Sequence, residues 1–141
     1  MSTVPRVLLT KSFIDSHDRA IKTIAVALRD AAMEVILVDY ETADDVVAMA
    51  VDEDVDVVGI SFMSGGQVEV TGTVMERLRE AGRAELPVVV GGTIRPFDVP
   101  GLDAAGVRAI FRGGERLEAV VDRFRALALE RRAADVADAG A

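Results

Sequence analysis

The residues most able to do chemistry in this chain are its single histidine, His17, and the aspartate two positions before it, Asp15. An imidazole can bind a metal through one ring nitrogen while a carboxylate holds the proton on the other nitrogen. Lys11, a few residues earlier, can pair with Asp15 and keep it ionised. The segment therefore predicts a metal ligand supported by an acid. A surface histidine, and an aspartate that forms a turn or caps a helix, are the alternatives.

The rest of the composition limits what kind of metal site this can be. The chain has no cysteine, so thiolate sites, disulfides and cysteine nucleophiles are excluded. One histidine without cysteines or a cluster of carboxylates cannot make a zinc site. A single imidazole ligand is better explained when a macrocycle supplies the other metal bonds, as in a haem or a corrin.

Length and charge bound the class of protein. The 141 residues fit one domain, placed at residues 1–132, followed by a small and polar tail at residues 133–141 that we expect to be flexible. The net charge of −8 disfavours nucleic acid and anionic membranes as partners, because both are polyanions. The sequence has no signal-peptide pattern and no apolar run as long as a membrane span, so we expect a cytoplasmic protein.

Apolar runs and helical periodicities alternate along the chain. The predicted strands are residues 6–9, 35–38, 57–61, 87–90 and 109–111. The predicted helices are residues 18–31, 42–53, 70–81, 102–105 and 117–132. The second helix begins at a cap formed by Thr42 and Asp45. This alternation predicts an α/β fold with a flavodoxin-like (Rossmann-like) five-stranded parallel sheet of order 2-1-3-4-5 and helices on both faces.

Ligands of such sheets bind beyond the carboxyl ends of the strands, and three unusual segments converge there. The loop of His17 follows strand one, a loop that begins at Ser61 follows strand three, and Gly91-Gly92 follows strand four. Absent side chains at the two glycines leave a gap that a flat ring can enter, although a plain turn is the alternative. Residues 112–115, after strand five, can close the same pocket.

Motifs typical of several other functional classes are missing from the sequence. No GxGxxG follows strand one, no GxxxxGK[ST] loop occurs, and no second histidine completes a catalytic triad. A phospho-receiver of this fold needs an aspartate at the end of strand three, where Ser61 stands.

Residues 39–56 hold eight acids and no base, which predicts a solvated helix face or part of a partner surface.

In combination, these residues resemble the cobalamin-binding domain of the methylmalonyl-CoA mutase group, whose signature is DxHxxG, then SxL, then GG. The similarity covers about residues 6–124 and includes the phrases DSHDR at residues 15–19, EDVDVVG at residues 53–59 and VGGTI at residues 90–94. The chain departs from the signature at Ala20, which replaces the glycine, and at Met63, which replaces the leucine. Phe13 and Ser16 stand where the family usually has glycines, and the Phe13 ring could pack against the corrin or fill space that the cofactor needs.

The resemblance implies a role for each segment. His17 replaces the dimethylbenzimidazole of the cofactor as the lower axial ligand to cobalt, Asp15 hydrogen-bonds to His17, and Lys11 lies behind them. The displaced nucleotide tail enters a slot beside strand three. The residues implied to bind the cofactor are Lys11, Asp15, Ser16, His17, Asp18, Arg19, Ala20, Ser61, Met63, Ser64, Gly65, Gly91, Gly92 and Thr93.

The resemblance also implies a function. The chain is similar to the small subunit of an acyl-CoA mutase that uses adenosylcobalamin for a radical isomerisation of a carbon skeleton. The acyl-CoA substrate then binds to a TIM barrel on a separate large subunit, and we expect no catalysis by the small subunit alone. A cobalamin carrier or sensor without mutase activity, and a flavodoxin-like interaction domain that has lost the cofactor, are the alternatives.

Overall fold

A computed structural model describes residues 4–140 of the chain, with side chains described up to residue 136. Five parallel strands form one sheet in the order β2-β1-β3-β4-β5, which confirms the predicted flavodoxin-like fold. The strands are β1 (Arg6–Ser12), β2 (Glu34–Tyr40), β3 (Val57–Phe62), β4 (Val88–Gly92) and β5 (Ala109–Phe111). The helices are α1 (Arg19–Asp30), α2 (Ala43–Asp52), α3 (Gln67–Glu80), α4 (Val99–Ala105) and α5 (Leu117–Gly140), with a 3-10 turn at Pro96–Asp98 before α4.

The alternation of side chains along the strands divides the interior into two cores. On β1, Leu8 packs into one core and Leu9 into the other, because successive side chains of a strand point to opposite faces. The first core lies between the sheet and α2, α3 and α4, and the second lies between the sheet and α1 and α5. Ile21, Ala25 and Leu28 bury one face of α1 in the second core, with the spacing predicted from the sequence.

Side-chain hydrogen bonds are present in the first turn of two of the helices. The predicted cap of α2 is present: the Asp45 amide donates to the Thr42 hydroxyl at 3.3 Å, and the Thr42 amide donates to the Asp45 carboxylate at 3.0 Å. α3 begins at Gln67, before the predicted residue 70. The side-chain nitrogen Nε2 of the buried Gln67 donates to the Asp98 carboxylate at 2.7 Å and to the Thr93 carbonyl at 3.3 Å. These bonds anchor the first turn of α3 to the loop after β4.

The last helix continues beyond its predicted end at residue 132 and reaches Gly140. An ion pair one turn apart, between Arg131 Nη1 and Asp135 Oδ2 at 3.6 Å, supports this extension. The flexible tail predicted for residues 133–141 stays a prediction, and its last residue lies outside the described part of the chain. No helix between residues 4 and 140 is both long enough and apolar enough to cross a membrane.

One acid of residues 39–56 does not lie on a solvated face, so the prediction is wrong at this position. Asp56 is 2% exposed. Its carboxylate accepts hydrogen bonds from the Arg6 amide at 2.8 Å, from Arg131 Nη1 at 2.9 Å and from Arg132 Nε at 3.0 Å. These donors belong to β1 and to the last helix. Asp56 therefore ties α5 to the edge of the sheet opposite the carboxyl ends of the strands.

We expect Asp56→Ala to lower the free energy of unfolding by about 3 kcal/mol, because it removes the shared acceptor of two arginines at a largely buried position. Urea unfolding measures the change. Asp103→Ala, which removes an exposed acid from α4, is the matched control and should change the free energy by less than about 0.5 kcal/mol. Equal midpoints for the two variants would contradict this role of Asp56.

Candidate functional site

The loop between β1 and α1, residues 13–18, is held at the carboxyl end of the sheet by backbone hydrogen bonds. The Phe13 amide donates to the Tyr40 carbonyl at the end of β2 at 2.9 Å, and the Asp15 amide donates to the Ser12 carbonyl at 3.0 Å. The loop is therefore fixed to two adjacent strands, and it carries His17 to the edge where the sequence predicts a ligand.

A single oxygen of Asp15 holds His17 in two ways. Asp15 Oδ1 accepts a hydrogen bond from the His17 amide at 2.8 Å and lies 2.8 Å from Nδ1 of the imidazole. An ionised carboxylate can only accept, so we assign the ring proton to Nδ1. The other nitrogen, Nε2, has no hydrogen-bond partner among the described residues. Its lone pair is therefore available to a metal.

Opposing effects act on the ionisation of Asp15. The carboxyl group is buried, and burial is the largest effect and raises its pKa. The hydrogen bonds from the His17 amide and ring, together with the positive charge of Lys11, act in the opposite direction and leave the pKa below its usual value. Asp15 is therefore ionised at neutral pH and acts as a hydrogen-bond acceptor for His17.

Lys11 lies behind this pair, but its contact differs from the one predicted. The ammonium group donates to the backbone carbonyl of Asp15 rather than to its carboxylate. Its ion pair is with Asp39 at the end of β2, where Nζ lies 3.3 Å from Oδ1. Lys11 therefore binds the backbone of the loop, and its charge lowers the pKa of the Asp15 carboxyl without a direct bond to it.

A cavity of about 760 Å³ opens beside His17. It extends from the carboxyl ends of the strands into the space between the sheet and helices α1 and α5. Its deep part is lined by buried, apolar or side-chain-free residues: Leu9, Gly59, Val89, Val120 and Phe124. The site thus combines one nitrogen donor at the surface with a deep apolar slot beside it.

The cavity brings together most of the residues that the sequence predicts. Those that line it are Ser16, His17, Asp18, Arg19, Ala20, Ser61, Met63, Gly91, Gly92 and Thr93. Gly113, Gly114 and Glu115 also line it, as expected for a loop that closes the pocket. Ser64 and Gly65 do not line the cavity and lie in the turn before α3.

The glycine pair at the end of β4 has a different physical reason from the one predicted. A Cβ atom on Gly92, which has φ +107°, would lie 2.2 Å from the Phe62 carbonyl oxygen. A Cβ atom on Gly91 would lie 3.2 Å from the Phe111 carbonyl oxygen. The backbone of β3 already occupies the position of a Gly92 side chain, and a Gly91 side chain would make a tight contact with the backbone of β5. The glycines therefore allow close packing of the strand ends at the cavity wall.

The residues that the sequence did not reveal are apolar side chains that lie both in the core and on the cavity wall. They include Leu9, Ile21, Ile24, Val89, Phe111, Val120 and Phe124. Periodicity identifies a buried face but does not distinguish contact with another side chain from contact with a ligand. Gly59 offered a signal, because an isolated glycine inside an apolar strand suggests close approach of another group. A Cβ atom there would lie 2.8 Å from Leu9 Cδ2 and 3.0 Å from Phe124 Cζ.

The fold and the site define a class of protein. No cluster of three or more histidine, cysteine, aspartate or glutamate side chains that could hold a metal ion occurs in the described part of the chain. A metal bound by His17 must therefore bring most of its ligands with it, as a macrocycle does. A flavodoxin-like domain with one imidazole donor above an apolar slot is suited to a metal macrocycle with a side arm.

The chain belongs to the family of B12-binding domains, whose model matches residues 5–121. It is 40% identical over 127 residues to the 2-hydroxyisobutanoyl-CoA mutase small subunit of Aquincola tertiaricarbonis, covering 89% of this chain and 93% of that subunit. It is 42% identical over 134 residues to the pivalyl-CoA mutase small subunit of Xanthobacter autotrophicus, covering 94% of this chain and 90% of that subunit.

Longer proteins contain a similar segment. The probable methylmalonyl-CoA mutase large subunit of Mycobacterium tuberculosis is 36% identical over 126 residues, which cover 88% of this chain and 17% of that subunit. Among solved structures, a cobalamin-binding protein from Desulfitobacterium hafniense superposes with a TM-score of 0.73 at 15% identity, covering 89% of this chain and 60% of that chain. At this identity the superposition supports the fold alone.

We expect Asp15→Asn to lower the free energy of unfolding at neutral pH by about 1–3 kcal/mol, because it weakens a buried charge-assisted hydrogen-bond pair. The folded pKa of Asp15 lies below the unfolded value of about 3.9. The stabilisation is therefore fully present above the unfolded pKa and is lost as the pH falls through the folded pKa.

Urea unfolding at a series of pH values measures this effect. The difference between wild type and Asp15→Asn should be constant above about pH 5 and should shrink below about pH 4. Asp103→Asn, at an exposed position, should show no comparable difference at any pH. A difference for Asp15→Asn that grows as the pH falls would contradict the assigned charge state.

Proposed function

We propose that this chain is the cobalamin-binding small subunit of an adenosylcobalamin-dependent acyl-CoA mutase. The observation that carries the proposal is the oriented imidazole of His17, with a free Nε2, at the opening of the apolar cavity. Two relatives named as small subunits of acyl-CoA mutases align over almost their whole length, which supports the same role for this chain.

The residues present are compatible with cobalamin. A corrin would bring most of the cobalt ligands itself, so the protein needs to add one donor, and His17 offers one. The nucleotide tail of cobalamin ends in a flat aromatic base, and the deep part of the cavity is lined by apolar side chains and a glycine. Phe13 does not line the cavity and is 56% exposed, so its ring does not occupy the slot.

In this proposal each part of the site has a physical task. His17 Nε2 would hold cobalt, while Asp15 keeps the proton on Nδ1 and fixes the plane of the ring. The walls of α1, α5 and the strand ends enclose the tail and exclude water from it. Adenosylcobalamin held there would supply the radical chemistry of the isomerisation.

We further propose that the substrate binds to a partner. The similar segment makes up 17% of a methylmalonyl-CoA mutase large subunit, so such an enzyme contains much more protein than this domain. We infer that the acyl-CoA binds in a TIM barrel on a large subunit and that the small subunit presents the cofactor to it. Because acyl-CoA thioesters are intracellular metabolites, the proposed location is the cytoplasm.

We expect purified protein to bind cobalamin with the His17 imidazole on cobalt. Electron paramagnetic resonance of the cob(II)alamin complex measures this directly, because a coordinated nitrogen-14 splits each cobalt line into a triplet and nitrogen-15 splits it into a doublet. Protein labelled uniformly with nitrogen-15 should give doublets, and unlabelled protein should give triplets. Triplets from the labelled protein would show that the cofactor's own base is the ligand and would contradict the proposal.

His17→Ala should remove the doublets from the labelled complex. We expect its affinity for cobalamin to fall at least about tenfold, because loss of a metal ligand costs more than loss of its supporting groups. The variant should keep the apolar slot and therefore residual binding. A spectrum unchanged by His17→Ala would exclude coordination by this residue.

We expect the mutase reaction to require two proteins. The chain, mixed with adenosylcobalamin and a large mutase subunit from its own organism, should isomerise an acyl-CoA, whereas neither protein alone should do so. A large subunit that binds no small subunit and a mixture without activity on any branched acyl-CoA tested would favour a cobalamin carrier or sensor instead.

A further inference from the structure

An ion pair outside the cavity connects β2 to the loop that carries His17. Asp39, near the end of β2, places Oδ1 3.3 Å from Nζ of Lys11. The Lys11 side chain is 8% exposed and the Asp39 side chain is 47% exposed. Among the described residues, Asp39 is the only carboxylate that forms an ion pair with Lys11. Asp39 therefore fixes a buried ammonium from its solvent side.

The ammonium group also binds the backbone of the loop. Lys11 Nζ donates to the carbonyl of Asp15 and lies 3.5 Å from the carbonyl of Ser12. Asp15 in turn binds the amide and the ring of His17 through its carboxylate. A continuous series of polar contacts thus runs from Asp39 through Lys11 and Asp15 to the imidazole.

The sheet determines this arrangement. Lys11 and Asp39 are paired in the parallel register of β1 and β2, so their side chains project from the same face of the sheet. The next residue of β2, Tyr40, accepts the hydrogen bond from the Phe13 amide at 2.9 Å. The end of β2 therefore holds the loop at two points, once through its backbone and once through a side chain.

The charges around Asp39 alternate in sign. Lys22 of α1 forms an ion pair with Asp18 at 2.8 Å. The pKa of Lys22 is raised mainly by the hydrogen bond and charge of Asp18, with a smaller contribution from Asp39. Asp39 thus lies within the field of two ammonium groups. Its removal would leave Lys11 without its ion-pair partner next to the loop.

We propose that Asp39 is a positioning residue that acts through Lys11 to hold His17 in the orientation that binds cobalt. This rests on the proposed function, because it requires cobalt at His17 Nε2. Asp39 does not line the cavity, so it acts on the imidazole and not on the nucleotide tail.

The test compares Asp39→Asn, which keeps the shape and removes the charge, with Asp39→Glu, which keeps the charge. We expect Asp39→Asn to weaken cobalamin binding about two- to fivefold, as for the loss of a partly exposed ion pair. It should also reduce the share of nitrogen-15 doublets in the cob(II)alamin spectrum. Asp39→Glu should keep most of the wild-type affinity for cobalamin and most of the wild-type share of doublets.

Asp44→Asn is the matched control. Asp44 also forms an ion pair, with Arg77 at 3.1 Å, and neither residue lines the cavity. The substitution changes the net charge by the same amount, and we expect affinity and spectrum to stay at the wild-type values. Equal effects of Asp39→Asn and Asp44→Asn would overturn the inference.

A double-mutant cycle separates positioning from general structural damage. In a His17→Ala background, Asp39→Asn should have no further effect on affinity, because the group it positions is absent. The same loss in both backgrounds would overturn the inference. If the affinity of His17→Ala for cobalamin is too low to measure, the spectrum of the Asp39→Asn single variant becomes the test. A share of doublets equal to that of the wild type would then overturn the inference.

The same measurements distinguish this inference from the proposed function. Wild-type protein without doublets would exclude cobalt coordination by His17, so the proposed function and the role of Asp39 would fail together. Wild-type protein with doublets and an Asp39→Asn variant indistinguishable from it would leave the proposed function intact and remove only the role of Asp39.

Discussion

The site depends on a single oxygen atom. Asp15 Oδ1 binds both the backbone amide and the ring nitrogen of His17, so the position of the loop and the tautomer of the ring are fixed together. A free imidazole on a loop can rotate and can carry its proton on either nitrogen. Burial of the carboxylate makes this contact stronger than it would be in water, and the positive charge of Lys11 and the hydrogen bonds from His17 keep it ionised.

The parallel sheet supplies the second constraint. β1 lies between β2 and β3, and the register pairs Lys11 with Asp39 on one side and with Ser61 on the other. Residues far apart in the sequence therefore meet at one edge because the strands end together. The opposite edge is closed by Asp56 and the arginines of α5, so the helix that forms one wall of the cavity is anchored at its far end.

The fold was predictable to a large extent because its signals are local. Short apolar runs, helical periodicity and the cap at Thr42 and Asp45 are each contained in a few neighbouring residues. The metal-ligand hypothesis for His17 was equally local, since its supporting acid lies two residues away. The deeper cavity was not predictable in this way, because Leu9 and Phe124 form its floor from distant segments and have the composition of an ordinary core.

The sequence by itself determined the strand order expected for this family, the single imidazole donor and the acid beside it. Only the tertiary structure decided that Lys11 binds a backbone carbonyl and Asp39, that Asp56 is buried against arginines, and that the glycines at the end of β4 accommodate neighbouring backbone. The physical reason is the range of the interactions. Propensity and periodicity act over a few residues, whereas ion pairs and close packing depend on which strands lie side by side.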